Sequence, residues 1–207
     1  DLDHYFTETY DPIWEVCEDL GIVLTQHGGT GVPNYKGNPA TPFLLLMEVP
    51  FYAQKSMWHF ILGGVFERFP NLKYVMTEQG VSWVEPTLHR MDSIWDQMAS
   101  TGRVGELGMT TDQMLPKKPS DYFQQNCWIG ASFPAPSDAK SIQDIGVNNV
   151  MWGSDYPHTE GTYPHTREAL RNTFAGWEES DLRAVLAGNA AHVYRMDLDH
   201  LAPIASK

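Results

Sequence analysis

The stretch VMWGSDYPH, residues 150–158, shows the pattern on which the fold assignment depends: a short apolar run leads directly to a carboxylate, Asp155. The same pattern occurs at His27 and at Glu78, each of which also follows an apolar run. Such a run, bounded by turn residues, is typical of a buried parallel strand that delivers its last side chains to a loop. The sequence therefore predicts polar side chains at the carboxyl ends of three strands.

Strands alternate with helices along the chain, which is the order expected of a parallel α/β fold. The predicted strands are Ile22–Thr25, Lys73–Thr77, a segment near Cys127–Ser132, and Val150–Trp152. Helices are predicted between Asp11 and Gly21, over Phe43–Phe69 with a break at Pro50, over about Val84–Ala99, and over Ser137–Ile145, Thr166–Ala175 and Ser180–Ala187. Residues 100–119 are loop-rich and predict a surface excursion from a single domain, residues 1–207.

Four parallel strands fit either an open doubly wound sheet or half of an eight-stranded barrel. In a barrel, the carboxyl ends of the strands converge on one mouth, so His27, Glu78 and Asp155 would meet there. An open sheet would spread them along an edge, and the Gly-rich phosphate loop typical of many such sheets follows none of these strands. We therefore favour a (β/α)₈ TIM-barrel type of α/β fold.

The composition excludes several classes of protein. The 207 residues are 42% hydrophobic, and 26 acidic against 14 basic residues give a net charge of −12, which disfavours nucleic acid and anionic membranes as partners. The longest aliphatic run, Phe43–Met47, ends at Glu48, so no membrane span is expected. Two cysteines, Cys17 and Cys127, fit neither a disulfide framework nor a cysteine zinc site, which favours a reducing, cytoplasmic setting.

His27 and Asp155 are the strongest candidates for metal ligands. A histidine and a carboxylate at barrel strand ends supply one nitrogen and one oxygen ligand, a combination that suits zinc or manganese. Asp155 could also accept a proton from water bound to such an ion. Each residue has a structural alternative, since a lone histidine is often only hydrogen-bonded and an aspartate often caps a turn.

Four separated motifs resemble the amidohydrolase-related family, in the branch that includes the aminocarboxymuconate-semialdehyde decarboxylase-like enzymes. They occur in the order found in that family, and the similarity covers roughly Asp11 to Met196. The motifs are GGVFERFPNLKYVMTE (63–78), PSDYFQQN (119–126), VMWGSDYPHTEGTYP (150–164) and GNAAHVY (188–194).

The resemblance implies a (β/α)₈ barrel with one divalent metal at its mouth, for which we expect zinc first and manganese second. By motif position, His27 resembles the metal-binding histidine that ends the fifth strand. Asp155 resembles the aspartate that ends the eighth strand, a ligand that also transfers protons. Many relatives have a histidine at the end of the sixth strand, where this chain has Glu78.

Nothing before His27 resembles the metal-binding first strand of the family, since Asp3-His4 does not follow an apolar run. The four predicted strands would then be strands five to eight. We expect this chain to be the C-terminal half of a longer polypeptide, inactive when isolated. Its expected partner is a second copy of the chain or the missing N-terminal half.

Further candidates each have a structural alternative. Glu78 is either a general base or half of an ion pair, and His158 and Tyr156 either contact a substrate or face solvent from the loop. Arg90 either binds a substrate carboxylate or pairs with a nearby acid on its helix. His59 lies in an aromatic-rich helix, which indicates a packed core histidine.

Two reaction types fit the resemblance: hydrolysis, and non-oxidative decarboxylation by a carboxy-lyase, in either case of a small carboxylated or aromatic molecule. Nothing in these residues separates the two. The competing interpretation is a catalytically incomplete barrel fragment that serves as a binding or assembly module.

Overall fold

A computed structural model describes residues 2–28, 33–104, 106 and 114–205 of the chain. Within these ranges, four parallel strands form one sheet in the order β1-β2-β3-β4. The prediction of a parallel α/β fold is confirmed, and three of the strands extend slightly differently from the sequence pattern. The strands are β1 (Val23–Gln26), β2 (Lys73–Gln79), β3 (Cys127–Ser132) and β4 (Val150–Gly153).

Helices connect the strands and cover one face of the sheet. Over the described residues they are α1 (Asp11–Leu20), α2 (Thr41–Leu62), α3 (Val65–Arg68), α4 (Val84–Thr101), α5 (Pro119–Asn126), α6 (Ala139–Ile145), α7 (Thr166–Thr173), α8 (Glu179–Arg183), α9 (Asn189–Val193) and α10 (Leu198–Ala205). Each of β1, β2 and β3 leads through at least one helix to the next strand, which is the crossover that parallel pairing requires.

The predicted break at Pro50 is wrong, because α2 runs through Pro50 for 22 residues. A proline inside a helix removes one backbone hydrogen bond, and the residue one turn earlier, Leu46, is exposed, so water can reach the carbonyl that is left free. The chain breaks instead at Gly63 and Gly64, where Gly64 adopts a left-handed conformation with φ 72°.

The main core lies between the sheet and the helices. Alternate strand residues face it, among them Tyr74 and Met76 of β2 and Ile129 of β3, all almost fully buried. The opposite face of the sheet carries Val75, Trp128 and Met151, against which Val193 of α9 packs.

Two other expectations concern the surface and the thiols. Cys17 and Cys127 are buried free thiols, and burial raises the pKa of Cys127. Much of the predicted excursion, residues 100–119, lies outside the described residues, although α4 already covers Thr101. None of the helices in the described ranges is long and apolar enough to cross a lipid bilayer.

Candidate functional site

Three strands deliver the predicted polar residues to one edge of the sheet. His27 follows β1 directly, Glu78 lies at the end of β2, and Asp155 comes two residues after β4. Because the strands are parallel, these positions all lie at the carboxyl edge, where loops leave the sheet.

A bulge near the end of β2 positions Glu78. Met76 lies opposite Ile129, but Gln79 lies opposite Ala131, so β2 contains one residue more than β3 over this interval. A bulge of this kind redirects the side chain beside it. Glu78 has a φ of 55°, in the left-handed region. The facing Gly130 leaves room for the bulge, since a Cβ there would lie 3.3 Å from the Thr77 Cα.

Glu78 is hydrogen-bonded to His27. The His27 Nε2 lies 2.6 Å from the Glu78 Oε2, and the His27 Nδ1 lies 2.8 Å from the carbonyl oxygen of Gly28. The hydrogen bond to the Gly28 carbonyl is the main cause of a raised pKa of His27. Partial burial opposes it, and the hydrogen bond and charge of Glu78 and the charge of Asp155 also raise the pKa. With both ring nitrogens facing oxygen acceptors, the geometry favours a protonated imidazole whose two N–H groups donate.

Asp155 lies in a tight loop, residues 154–162, whose two ends are joined by a backbone hydrogen bond. Its φ is 61°, its side chain is only 7% exposed, and its Oδ2 lies 3.1 Å from the Nδ1 of His158. The backbone N–H of His158 also donates to the Asp155 carbonyl, at 2.8 Å. The loop closes where the N–H of Thr162 donates to the carbonyl of Ser154, at 3.0 Å. His158 is thereby held beside Asp155.

Glu78, Asp155 and His158 form a cluster with the spacing of a metal site. Each offers one ligand atom, and these atoms all lie within 4.8 Å of one another. Two carboxylates and an imidazole are donors that suit manganese or zinc, so the residues present fit a divalent ion. His27 is not one of these three residues, but its Nε2 is bonded to the carboxylate of Glu78.

Backbone strain occurs at both carboxylates, as it also does at Lys36, Phe133 and Arg195. Glu78 and Asp155 are both non-glycine residues in the left-handed region, a conformation that costs about 1–2 kcal/mol per residue. Strain of this kind tends to persist where the surrounding structure and the function require it.

A cavity of about 340 Å³ opens beside this cluster. Its polar lining comes from His27, Glu78 and Gln79, and its apolar lining comes from α2. The lining residues are His27, Gly28, Leu45, Leu46, Val49, Pro50, Glu78, Gln79 and Gly80. Sequence reasoning missed Gln79 and the α2 wall, because no local pattern shows that residues 45–50 fold back over the end of β2.

Other candidates lie elsewhere. Arg90 lines a separate cavity with Trp58 and Leu62, so it is not brought to the cluster, and its role in binding substrate stays a prediction. Tyr156 is 67% exposed and packs edge-on against Tyr163, with ring centroids 5.2 Å apart. His59 is half-buried, and burial lowers its pKa.

A larger cavity, of about 630 Å³, lies at the opposite edge of the sheet, beside Lys73 at the start of β2. Half of its lining residues are asparagines and glutamines, among them Asn149 and Asn189, and it does not include the two clustered carboxylates. The smaller cavity at the carboxyl edge is therefore the better candidate site.

The sequence profile of the amidohydrolase family matches residues 1–196. The chain belongs to the amidohydrolase family. The match confirms the resemblance drawn from the four motifs, and Glu78, Asp155 and His158 all lie within the matched residues.

Solved structures show the same fold. The chain is 25% identical to 5-carboxyvanillate decarboxylase from Sphingomonas paucimobilis (TM-score 0.71), covering 94% of this chain and 56% of that one. It is 24% identical to an amidohydrolase from Mycobacterium avium subsp. paratuberculosis K-10 (TM-score 0.67; 91% and 46% covered). It is 18% identical to dihydroxybenzoic acid decarboxylase from Polaromonas sp. JS666, solved with manganese and the inhibitor 2-nitroresorcinol (TM-score 0.65; 93% and 55% covered). The chain thus spans about half the length of these proteins.

Proposed function

We propose that the chain carries the metal-binding half of a non-oxidative decarboxylase that acts on a small aromatic carboxylic acid. The observation that carries this proposal is the cluster of Glu78, Asp155 and His158, whose ligand atoms lie within 4.8 Å of one another at the mouth of a cavity. Support for decarboxylation comes from two of the structural relatives, which are decarboxylases of aromatic acids.

The proposed metal ligands are Asp155, Glu78 and His158. His27 is an additional ligand if its Nε2 leaves the Glu78 carboxylate and binds the metal instead. Manganese is supported by the Polaromonas enzyme, and zinc is equally compatible with imidazole and carboxylate donors. A bound divalent ion would hold oxygen atoms of the substrate and stabilise the negative charge that develops on it.

The chain's own residues supply the proton. In decarboxylation, the bond between the ring carbon and the carboxylate carbon breaks, its electron pair stays on the ring carbon, and CO₂ leaves. Asp155, whose nearly buried side chain is oriented by the Nδ1 of His158, takes up a proton from water and passes it to the ring carbon, where it forms the new C–H bond and leaves Asp155 as the carboxylate again. The hydrogen-bonded pair of His27 and Glu78 holds a second proton at the same mouth.

Hydrolysis of a small aromatic or carboxylated substrate is the second candidate, because the family profile is described as amidohydrolase. In that reaction Asp155 would take the proton of the attacking water instead of donating one to carbon. The same residues therefore serve both candidates, and the products distinguish them.

The test uses 2-nitroresorcinol, whose visible absorption responds to its ionisation, and 5-carboxyvanillate as a substrate. We expect manganese-dependent binding of 2-nitroresorcinol to the wild-type chain and its loss in Asp155→Asn. Asp144→Asn is the matched control, since Asp144 pairs with Lys140 on the exposed face of α6. Equal binding without manganese, or full binding by Asp155→Asn, would contradict the proposal. Release of CO₂ from 5-carboxyvanillate separates decarboxylation from hydrolysis.

We also propose that the four strands are the fifth to eighth of a barrel that a second polypeptide completes, either another copy or an N-terminal half. In the described residues β1 has no neighbour beyond β2, and α1, which leads into it, exposes Ile13, Val16 and Leu20 by 52%, 52% and 65%. Apolar side chains beside a free strand edge favour pairing. The free thiols of Cys17 and Cys127 support a cytoplasmic location.

The assembly proposal predicts a mass above that of one chain in light scattering, or turnover that appears only when an N-terminal half is added. Val16→Glu should reduce the assembly, whereas Leu201→Glu, at an exposed position of α10, should not. If metal and 2-nitroresorcinol bind but no assembly releases CO₂ or a hydrolysis product, the binding-module interpretation replaces the enzyme.

A further inference from the structure

The cavity beside the metal-binding cluster contains a buried amide with one unsatisfied end. Gln79 is only 3% exposed and lines the 340 Å³ cavity. Its Nε2 donates to the carbonyl of Thr77 at 3.2 Å, which fixes the orientation of the amide. Its Oε1 is buried and, among the described residues, has no hydrogen-bond donor.

An unpaired acceptor in such a place requires an explanation. Nearly all buried polar side chains have a partner, because leaving a carbonyl oxygen without one is unfavourable. The strand end that carries Gln79 also carries Glu78, one residue earlier, so a ligand that reaches the carboxylate passes beside the amide. The missing donor would then come from the ligand.

The wall opposite Gln79 is apolar. Leu45, Leu46, Val49 and Pro50 of α2 face the cavity. Val49 closes it against Gly28, where a Cβ would lie only 3.1 Å from the Val49 Cγ1. A cavity of this size, apolar on one side and with few polar groups on the other, fits one small ring rather than a long chain.

We propose that Gln79 is a specificity-determining residue: its Oε1 accepts a hydrogen bond from a hydroxyl or N–H group on the substrate ring, which packs against the α2 wall. The assignment rests on the proposed function, since it takes the clustered carboxylates as the reacting end of the pocket. Gln79 would favour ring substrates that have a hydrogen-bond donor at a ring position distant from the reacting carboxylate, compared with substrates that have no such donor. A substrate without the donor leaves the buried oxygen unpaired, which is how polar sites reject analogues.

The test compares four ring probes of similar size on the full 207-residue chain by ligand-observed NMR in EDTA. Phenol and aniline have a donor; anisole and toluene have none. We expect the wild type to bind the donor-bearing probes about 10-fold more tightly, and Gln79→Met, which keeps the side-chain length without the acceptor, to bind all four alike. Equal affinities in the wild type, or the same preference in Gln79→Met, would overturn the proposal.

Two further variants keep the test decisive if Gln79→Met does not fold. Val49→Phe fills the cavity from the α2 side and should abolish binding of all four probes, whereas Leu62→Phe, in the separate cavity beside Arg90, should leave binding unchanged. Probe binding that survives Val49→Phe would place the ligand elsewhere and overturn the proposal. EDTA removes metal ions, so the four probes test the Gln79 proposal without the metal site. Manganese-dependent binding of 2-nitroresorcinol tests the proposed function separately, and the two can therefore fail independently.

Discussion

Replacing Gly161 by alanine should disturb the loop that holds Asp155 and His158. A Cβ at Gly161 would lie 2.6 Å from the carbonyl oxygen of Ser154 and 3.1 Å from that of Asp155. Both atoms belong to the backbone, so no side-chain rotation can relieve the overlap. The loop must open, and the bond from the N–H of Thr162 to Ser154, 3.0 Å long, must lengthen with it.

The magnitude follows from these two effects. Forcing a methyl group into a packed site costs about 1–3 kcal/mol. Losing a backbone hydrogen bond adds about 0.5–1.5 kcal/mol. We therefore expect Gly161→Ala to lower the free energy of unfolding by about 1.5–4.5 kcal/mol. Because the loop supplies two of the three clustered ligand atoms, manganese affinity should fall by about 10-fold or more.

Urea unfolding and manganese titration measure the two effects. Gly80→Ala is the matched control, since a Cβ there would meet nothing within 4 Å. The control should keep both stability and metal affinity within about 0.5 kcal/mol of the wild type or gain slightly in stability. If Gly161→Ala matched the control in both measurements, the described loop geometry would be refuted.

Two further predictions test the bulge and the half-buried His59. Gly130→Ala should lower the free energy of unfolding in urea by about 1–3 kcal/mol, because its Cβ would lie 3.3 Å from the Thr77 Cα. Gly153→Ala, whose Cβ would lie 3.9 Å from the nearest carbonyl oxygen, should lower it less. Equal losses in the two variants would argue against the bulge. Burial lowers the pKa of His59 below its ordinary value of about 6.5. As the pH falls through that ordinary value, the imidazole therefore takes up a proton more readily in the unfolded chain than in the folded one. Protonation of His59 thus lowers the free energy of unfolding as the pH falls. His59→Gln should therefore make unfolding less sensitive to pH between about 7.5 and 5.5, and an unchanged slope would contradict the assignment.

Local pattern predicted the strands well. The bounds of β3 are those expected from its apolar run, and the polar residues after β1, β2 and β4 do lie at one edge of the sheet. A strand needs only a short apolar run and turn residues, both of which are local. The same reasoning failed at Pro50, because the effect of a proline on a long helix depends on what the freed carbonyl meets in three dimensions.

The composition of the site was harder to predict. His27 and Asp155 are predicted from the strand ends, yet the residues whose ligand atoms cluster with Asp155 are Glu78 and His158. The bulge that redirects Glu78 depends on Gly130 of a neighbouring strand, and the cavity at Gln79 depends on a helix that begins more than thirty residues earlier. Contacts between segments that are far apart in the sequence produce no periodic pattern of hydrophobic residues in either segment, so the sequence does not reveal them.

The most direct test of the central claim is the binding of Mn²⁺ followed by electron paramagnetic resonance, in which the signal of the free ion decreases as the ion binds. The account predicts about one Mn²⁺ per wild-type chain and loss of that site in the Glu78→Gln/Asp155→Asn double variant. Binding by the double variant with the wild-type stoichiometry and affinity would contradict it.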